Sequence, residues 1–473
     1  MSRRKGNGLR RFLEYLRTGD GCVAYLEITG GKPLYGKMTV QGSKNAALPI
    51  LAACILGEGP CEIENCPHIQ DVEDTITILR MLGCRAERNG HTVTVDASQL
   101  ERFAICGTEA VRIRSSILFL GALLGKMGKA ELPYPGGCAI GSRPIDQHME
   151  ALEKLGARFY SQEKACSGVF FPDTGEGSEQ ESPVRRIAKD RICAEAPRLH
   201  GGSISLAMPS VGATENAILA AVCADGTTVI EHAAMEPEIE ELCEFLRLRG
   251  AVILREEQRT IRITGTKKLL PLRYRLHADR IVAGSYLLAA AACGGCVRIH
   301  NFPFGQLDAL LAVLKKMGTT IEEDGTVCAS GPPAAADEVM TAPYPGFPTD
   351  LQSPLMAALC TAKGSSRIRE TIFENRFLTA GELRKMGARI EIRGNLARIE
   401  GLGDAGRLCG ACVTAPDLRG GAALVQAALA AHGRSRIDGY EYIARGYEDI
   451  CRDYQSLGAD LSLCAEPGKE FCG

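Results

Sequence analysis

The chain has 473 residues, is 45% hydrophobic and 24% charged, and carries a formal net charge of −2. That length is too great for one ordinary core and suggests about two to four domains. The lack of a basic surplus argues against nucleic acid as a partner, and no apolar run reaches the roughly 18 residues of a membrane span.

Residues 1–21 form a basic N-terminal extension, with Arg3, Arg4, Lys5, Arg10, Arg11 and Arg17 set among Leu9, Phe12, Leu13 and Leu16 at helical spacing. A basic amphipathic segment of this kind suits a surface position outside the core. Beyond it, one phrase recurs six times: LRMLGCRAE around Gly83, LEKLGARFY around Gly156, LRLRGAVIL around Gly250, LKKMGTTIE around Gly318, LRKMGARIE around Gly387 and YQSLGADLS around Gly458. Each predicts the end of an amphipathic helix, a glycine cap and a strand. Interleaved with these are six Ala/Leu-rich helices, apolar nearly all round and therefore expected to be buried. The glycines are 68 to 73 residues apart except for the second interval of 94. The excess coincides with a polar, Pro/Gly/Glu-rich stretch near 172–197, which reads as a surface insertion.

Six such units predict an α/β protein: an inside-out α/β barrel of two pseudo-threefold lobes. The expected bounds are 44–267 for the first lobe, and 22–43 plus 268–473 for the second. A sliding-clamp-like ring or a non-catalytic scaffold of repeats would also be repetitive. A clamp needs a basic inner stripe for the phosphate backbone, and the buried helices lack one.

The polar residues of these helices collect at their starts. They are Lys44 and Asn45 in the first, Arg114 in the second, Glu215 and Asn216 in the third, and Asp279 with Arg280 in the fourth. Asp350 begins the fifth, and Asp417 and Arg419 the sixth. An Asp at a helix start has two readings, a cap or a functional carboxylate. Lys44 and Arg114 oppose the helix dipole, so they point to an anionic ligand at helix N-termini. Between the second and third helices, YPGGCAIGSRPID is a glycine-rich loop in which Cys138 lies five residues before Arg143. A nearby guanidinium lowers a thiol's pKa, which suits an accessible, reactive cysteine. The remaining cysteines, of 20 in all, lie largely in apolar stretches. No secretory leader is read, so they are expected to be reduced thiols in a cytoplasmic protein. The pairs Cys293/Cys296 and Cys409/Cys412 have no neighbouring His, and no metal site is expected.

These segments, GSKNAALPIL, PGGCAIGSRPID, PSVGATEN, EPEI, FPTDLQ, FENRF, DLRGGAALV and RGYE, resemble the enolpyruvyl transferases. The similarity runs from about Val23 to Leu463 and is closest to the UDP-N-acetylglucosamine 1-carboxyvinyltransferase family. The related shikimate-3-phosphate enzymes lack the cysteine loop and begin with a Ser/Asn/Arg-rich version of the Lys44 segment. The resemblance implies enolpyruvyl transfer from phosphoenolpyruvate to the 3′-hydroxyl of UDP-N-acetylglucosamine, in peptidoglycan synthesis, with no cofactor and with two lobes closing on substrate.

It further implies that Lys44, Asn45, Arg143 and Arg445 hold phosphoenolpyruvate. The UDP-sugar would meet Arg114, Arg143, Pro144, Ile145, Asp146, Gln147, Met208, Pro209, Ser210, Val211, Asp350 and Ile372. Cys138 would be the proton donor, Asp350 the base, and Lys44 would join them in catalysis. Arg376, Asp417 and Arg419 would be charged cleft residues. Two positions depart from the pattern: Met208 stands where some members carry Lys, and Ala444 where an acidic residue often precedes Arg445.

Overall fold

The computed structural model describes residues 22–136, 141, 144–160 and 191–467. These fall into two compact units, the first spanning 42–277 apart from Gly141, and the second 22–41 with Gly141 and 278–467. The basic extension 1–21 lies outside the described residues, as do Cys138, Arg143 and residues 161–190.

All six repeated phrases fold in the expected way. The helices Gln70–Met81, Asp146–Lys154, Pro237–Leu248, Asp308–Lys316, Thr379–Lys385 and Ile450–Ser456 each end just before the marked glycine, and a strand begins two residues after it. The six glycines take φ between +84° and +106°, where a side chain would be strained. That single backbone angle turns the chain from helix into strand.

Among the described residues there are six sheets, three in each unit, and five share one topology. In the first unit, Ser203–Ser205 lies parallel to Thr227–Glu231, which is antiparallel to Thr260–Thr264, which is antiparallel in turn to Val252–Glu256. In the second unit, Glu338–Met340, Ser365–Arg369, Leu396–Glu400 and Arg389–Arg393 repeat that order. The sixth sheet has three strands, Lys129–Pro133, Arg191–Glu195 and Arg158–Tyr160, and its parallel edge is reduced to a single bridge between Ala104 and Glu131.

Two expected boundaries are corrected here. Residues 191–197 do not belong to a surface insertion: Arg191–Glu195 is the middle strand of its sheet, with Ile192, Cys193 and Ala194 buried. The extra residues therefore fall within 161–190, outside the described residues, between two strands that pair antiparallel. The first unit also extends past 267 to His277, because Arg273–Arg275 pairs in parallel with Pro60–Glu64 and completes a first-unit sheet.

Each unit buries three apolar helices. In the first they are Lys44–Ala53, Leu118–Met127 and Val211–Ala221. A methyl group on Gly121 would come within 2.4 Å of the Asn216 carbonyl, so two of these helices touch backbone to backbone. Asn216 joins them: its Oδ1 accepts from Gly121 N at 2.7 Å, and its Nδ2 donates to Ile117 O and to His148 Nδ1. In the second unit Arg280–Cys293, Gln352–Cys360 and Leu418–Ala430 are tied by Gln426, whose Nε2 donates to Leu288 O and Pro354 O.

One further feature runs against the sequence reading, and another escapes it. Cys296 and Cys328 face each other across antiparallel strands and are joined by a disulfide, so the expectation of reduced thiols fails at this pair. Cys296 thus bonds across the sheet rather than to Cys293 along the chain. The first unit also encloses a fully buried guanidinium. Arg249 donates to Ala53 O at 2.8 Å and to Leu270 O at 2.9 Å, while its Nη2 finds no partner. It helps lower the Cys61 thiol to about 6, an effect due first to a hydrogen bond with Cys54; burial pushes Cys54 the other way.

Candidate active site

In the first unit, Ser43 caps the helix Lys44–Ala53 by accepting from Ala46 N. Every residue of that helix is buried except Asn45. Lys44 is only 8% exposed and its Nζ lies 2.7 Å from Asp71 Oδ2. Asp71 sits in the first turn of Gln70–Met81, where a carboxylate suits the dipole. One buried carboxylate thus compensates the cation that the dipole disfavours. One turn on, Asp74 accepts from Gln70 and Arg112, and burial raises its pKa to about 6.

Arg114 opens a short 3-10 turn before Leu118–Met127, and its guanidinium donates to the carbonyls of Pro135 at 3.2 Å and Pro144 at 3.5 Å. These carbonyls flank the cysteine loop, so Arg114 clamps its two ends. Met208 N donates to Gln147 Oε1 at 3.2 Å, joining two stretches expected to meet the same ligand. Ile145 is buried at the start of Asp146–Lys154. Ser210 caps Val211–Ala221 by accepting from Ala213 N, which leaves Pro209 and Ser210 at a helix N-terminus. Within that helix Glu215 is buried, and burial followed by Glu238 and Glu236 raises its pKa well above the usual range.

In the second unit the charges are arranged differently. Asp350 lies in a 3-10 turn, Thr349–Leu351, ahead of Gln352–Cys360, and its carboxylate takes up two guanidiniums. Oδ1 accepts from Arg376 Nη2, and Oδ2 accepts from Arg419 Nε at 3.2 Å and Nη2 at 3.1 Å. Both guanidiniums belong to residues only 3% exposed, and each keeps one N–H without a partner, on Arg376 Nε and Arg419 Nη1. Burial opposes the charge on Arg419, but Asp350, Tyr447 and Asp279 outweigh it and raise its pKa. Asp417 is the N-cap of Leu418–Ala430, accepting from Arg419 N and Gly420 N at 2.8 and 2.9 Å.

Near this cluster, Ile372 N donates to Glu370 Oε1 at 2.8 Å. Arg445 is half-buried in the segment between Tyr440–Ile443 and Ile450–Ser456. Two residues that hold these groups escape sequence reasoning. Asp71 looks like an ordinary first-turn acid. Glu370 looks like the exposed end of a strand, and its only sequence signal is its place two residues before Ile372.

The profile of the EPSP synthase (3-phosphoshikimate 1-carboxyvinyltransferase) family matches residues 28–170 and 185–453. The UDP-N-acetylglucosamine 1-carboxyvinyltransferase 2 of Caldanaerobacter subterraneus is 42% identical over 92% of this chain and 98% of its own. UDP-N-acetylglucosamine 1-carboxyvinyltransferase 1 of Symbiobacterium thermophilum is 44% identical over 92% and 94%. Among solved structures, the enolpyruvyl transferase NikO of Streptomyces tendae superposes with a TM-score of 0.80 at 26% identity, covering 94% of this chain and 100% of NikO. EPSP synthase from Acinetobacter baumannii gives 0.67 at 19%, covering 93% and 100%, a likeness of fold alone. Repeats, helix-start charges and relatives agree: the chain belongs to the enolpyruvyl transferases, within the UDP-N-acetylglucosamine 1-carboxyvinyltransferase family.

Proposed function

We infer that this protein transfers the enolpyruvyl group of phosphoenolpyruvate to the 3′-hydroxyl of UDP-N-acetylglucosamine and releases phosphate. The observation that carries this reading, beside family membership, is the cluster of Arg376 and Arg419 on Asp350. Two nearly buried guanidiniums meet on Asp350, and each keeps an N–H without a partner. Unfilled guanidinium donors fit an anionic ligand.

Chemistry sets the remaining requirements. A proton is added to C3 of phosphoenolpyruvate, C2 gains cationic character, and the sugar oxygen bonds to C2 as its own proton is removed. The C2–O bond to phosphate then breaks as a C3 proton leaves. Positioning of both substrates supplies part of the rate, and proton transfer needs an acid and a base within reach. Lys44, Asn45, Arg143 and Arg445 are proposed to hold phosphoenolpyruvate, with Cys138 as the acid. Asp350 is proposed as the base, and to take the hydroxyl proton it exchanges one guanidinium partner for the sugar. Arg114 acts by fixing the ends of the cysteine loop, and the 144–147 and 208–211 stretches, joined at Gln147 and Met208, meet the UDP-sugar. The fold proposed for this work is the inside-out α/β barrel with two pseudo-threefold lobes.

Phosphate release from phosphoenolpyruvate is the direct test. UDP-N-acetylglucosamine should support it and shikimate-3-phosphate should not. Release only with the shikimate ester would overturn the assignment. The epoxide phosphonate fosfomycin should also alkylate Cys138 in preference to the other cysteines, read by peptide mass mapping.

A further inference from the structure

Glu370 directly follows the strand Ser365–Arg369 and is only 2% exposed, yet no cation pairs with it among the described residues. Its carboxylate is instead surrounded by hydrogen-bond donors. Oε1 accepts from Thr341 Oγ1 at 2.9 Å, from Ile372 N at 2.8 Å and from Phe373 N at 3.2 Å. Oε2 accepts from Thr349 Oγ1 at 2.9 Å. A carboxylate without a cation is expensive to bury, and four donors at these distances are what make it tolerable.

The donors come from three segments. Thr349 is the residue before Asp350 and belongs to the same 3-10 turn. Ile372 and Phe373 open the turn leading to Arg376. Thr341 ties the node to the sheet, because its Oγ1 also receives Thr371 N at 2.9 Å. One carboxylate therefore sets the spacing between the turn that carries Asp350 and the turn that carries Ile372. Both flank the two-arginine cluster, and the carboxylate of Glu370 bonds to hydroxyl and backbone donors rather than to either guanidinium.

We propose that Glu370 is a positioning residue for the acceptor sugar, holding Asp350 and Ile372 in register through Thr349 Oγ1 and the Ile372 and Phe373 N–H groups. The proposal rests on the functional reading above, in which those two residues meet UDP-N-acetylglucosamine. It makes Thr349 a specificity element although its side chain points to Glu370.

The test separates acceptor binding from donor binding. Thr349→Val removes the Oε2 bond with little change in volume, and Thr349→Ser keeps it. Thr349→Val and Glu370→Ala should raise KM for UDP-N-acetylglucosamine about tenfold or more and leave KM for phosphoenolpyruvate within about twofold, with Thr349→Ser close to wild type. Should Glu370→Ala fail to fold, Thr349→Val carries the test alone. A lowered melting temperature with both KM values unchanged would make Glu370 merely structural and overturn the proposal, as would an equal rise in both. If the wild-type protein releases no phosphate with UDP-N-acetylglucosamine, the activity assignment fails separately. Calorimetric titration of wild type and Thr349→Val with UDP-N-acetylglucosamine then reads the positioning claim, and equal affinities would overturn it.

Discussion

The two units place charge at their helix starts in different proportions. Lys44 and Asp71 pair at 2.7 Å in the first unit. In the second, Asp350 bridges Arg376 and Arg419, and Asp279 adds to the field on Arg419. Both arrangements grow from the same repeated helix-strand unit, so the difference is not dictated by fold. A matched pair joins one cation to one anion, while Asp350 lies between two nearly buried guanidiniums. Removing the shared anion should therefore cost more than removing either member of the matched pair.

Asp350→Ala tests the larger effect. It leaves two buried guanidiniums facing each other, and should lower stability by about 3–5 kcal/mol as well as abolishing turnover by orders of magnitude. Denaturant titration reads the first and phosphate release the second. A melting curve unchanged from wild type would mean that the arginines are neutralised elsewhere.

Lys44→Ala should cost less, about 1–3 kcal/mol, because one buried carboxylate is left unpaired. The double variant Lys44→Met with Asp71→Asn should recover most of that loss and none of the activity, a separation that a purely structural Lys44 would not produce.

The polar ties between buried helices extend the comparison. Asn216 satisfies three groups, and Asn216→Leu should destabilise by about 2–3 kcal/mol. Gln426 makes two bonds and leaves its Oε1 without a partner, so Gln426→Leu should cost nearer 1–2 kcal/mol. Equal losses would show that helix packing, not the amide, decides both.

How far the sequence foretold this depends on which residues are asked about. The glycine-marked phrases were legible because each joins three local signals, an apolar helix face, a positive-φ residue and an alternating strand, within about nine residues. Lys44 and Arg114 stood out because they break a local rule about helix ends. Asp71 and Glu370 break none, and their importance comes from partners brought near by the fold. Arg191–Glu195 escaped because a polar stretch precedes it and its strand partners lie far back in the chain. Asp350 and Asp417 looked alike as candidates for capping, and only the three-dimensional contacts separate them.

The smallest effects concern pH, and here buried carboxyls and the Cys61 thiol differ in sign. Burial raises Asp453 in the second unit to about 6, despite the hydrogen bond from Tyr286 Oη. Between its unfolded value near 4 and that folded value the native state holds the extra proton, so stability should fall as pH rises through the window. Asp453→Asn should flatten this part of the profile, and Asp74 adds a term of the same sign in the first unit. Cys61, lowered to about 6, acts oppositely: between pH 6 and about 9 the unfolded state holds the extra proton, and stability should rise with pH. Cys61→Ser should remove that rise, and a profile identical to wild type would show that the Cys61 thiol stays protonated beside Arg249.

The strand Cys22–Thr29 lies between Arg434–Asp438 and Asp460–Pro467, with Tyr25 opposite Asp438. During synthesis this strand therefore emerges more than 400 residues before its partners. At about 5–20 residues per second that is a wait of roughly 20–80 seconds. The first unit, by contrast, is drawn from one stretch of chain, 42–277, and has all its strands while the second is still being made. An early strand with both edges open is a template for pairing with other chains. Slowing translation after residue 277 should lengthen that exposure and lower the yield of folded protein, while leaving the first unit's protease resistance in nascent chains unchanged.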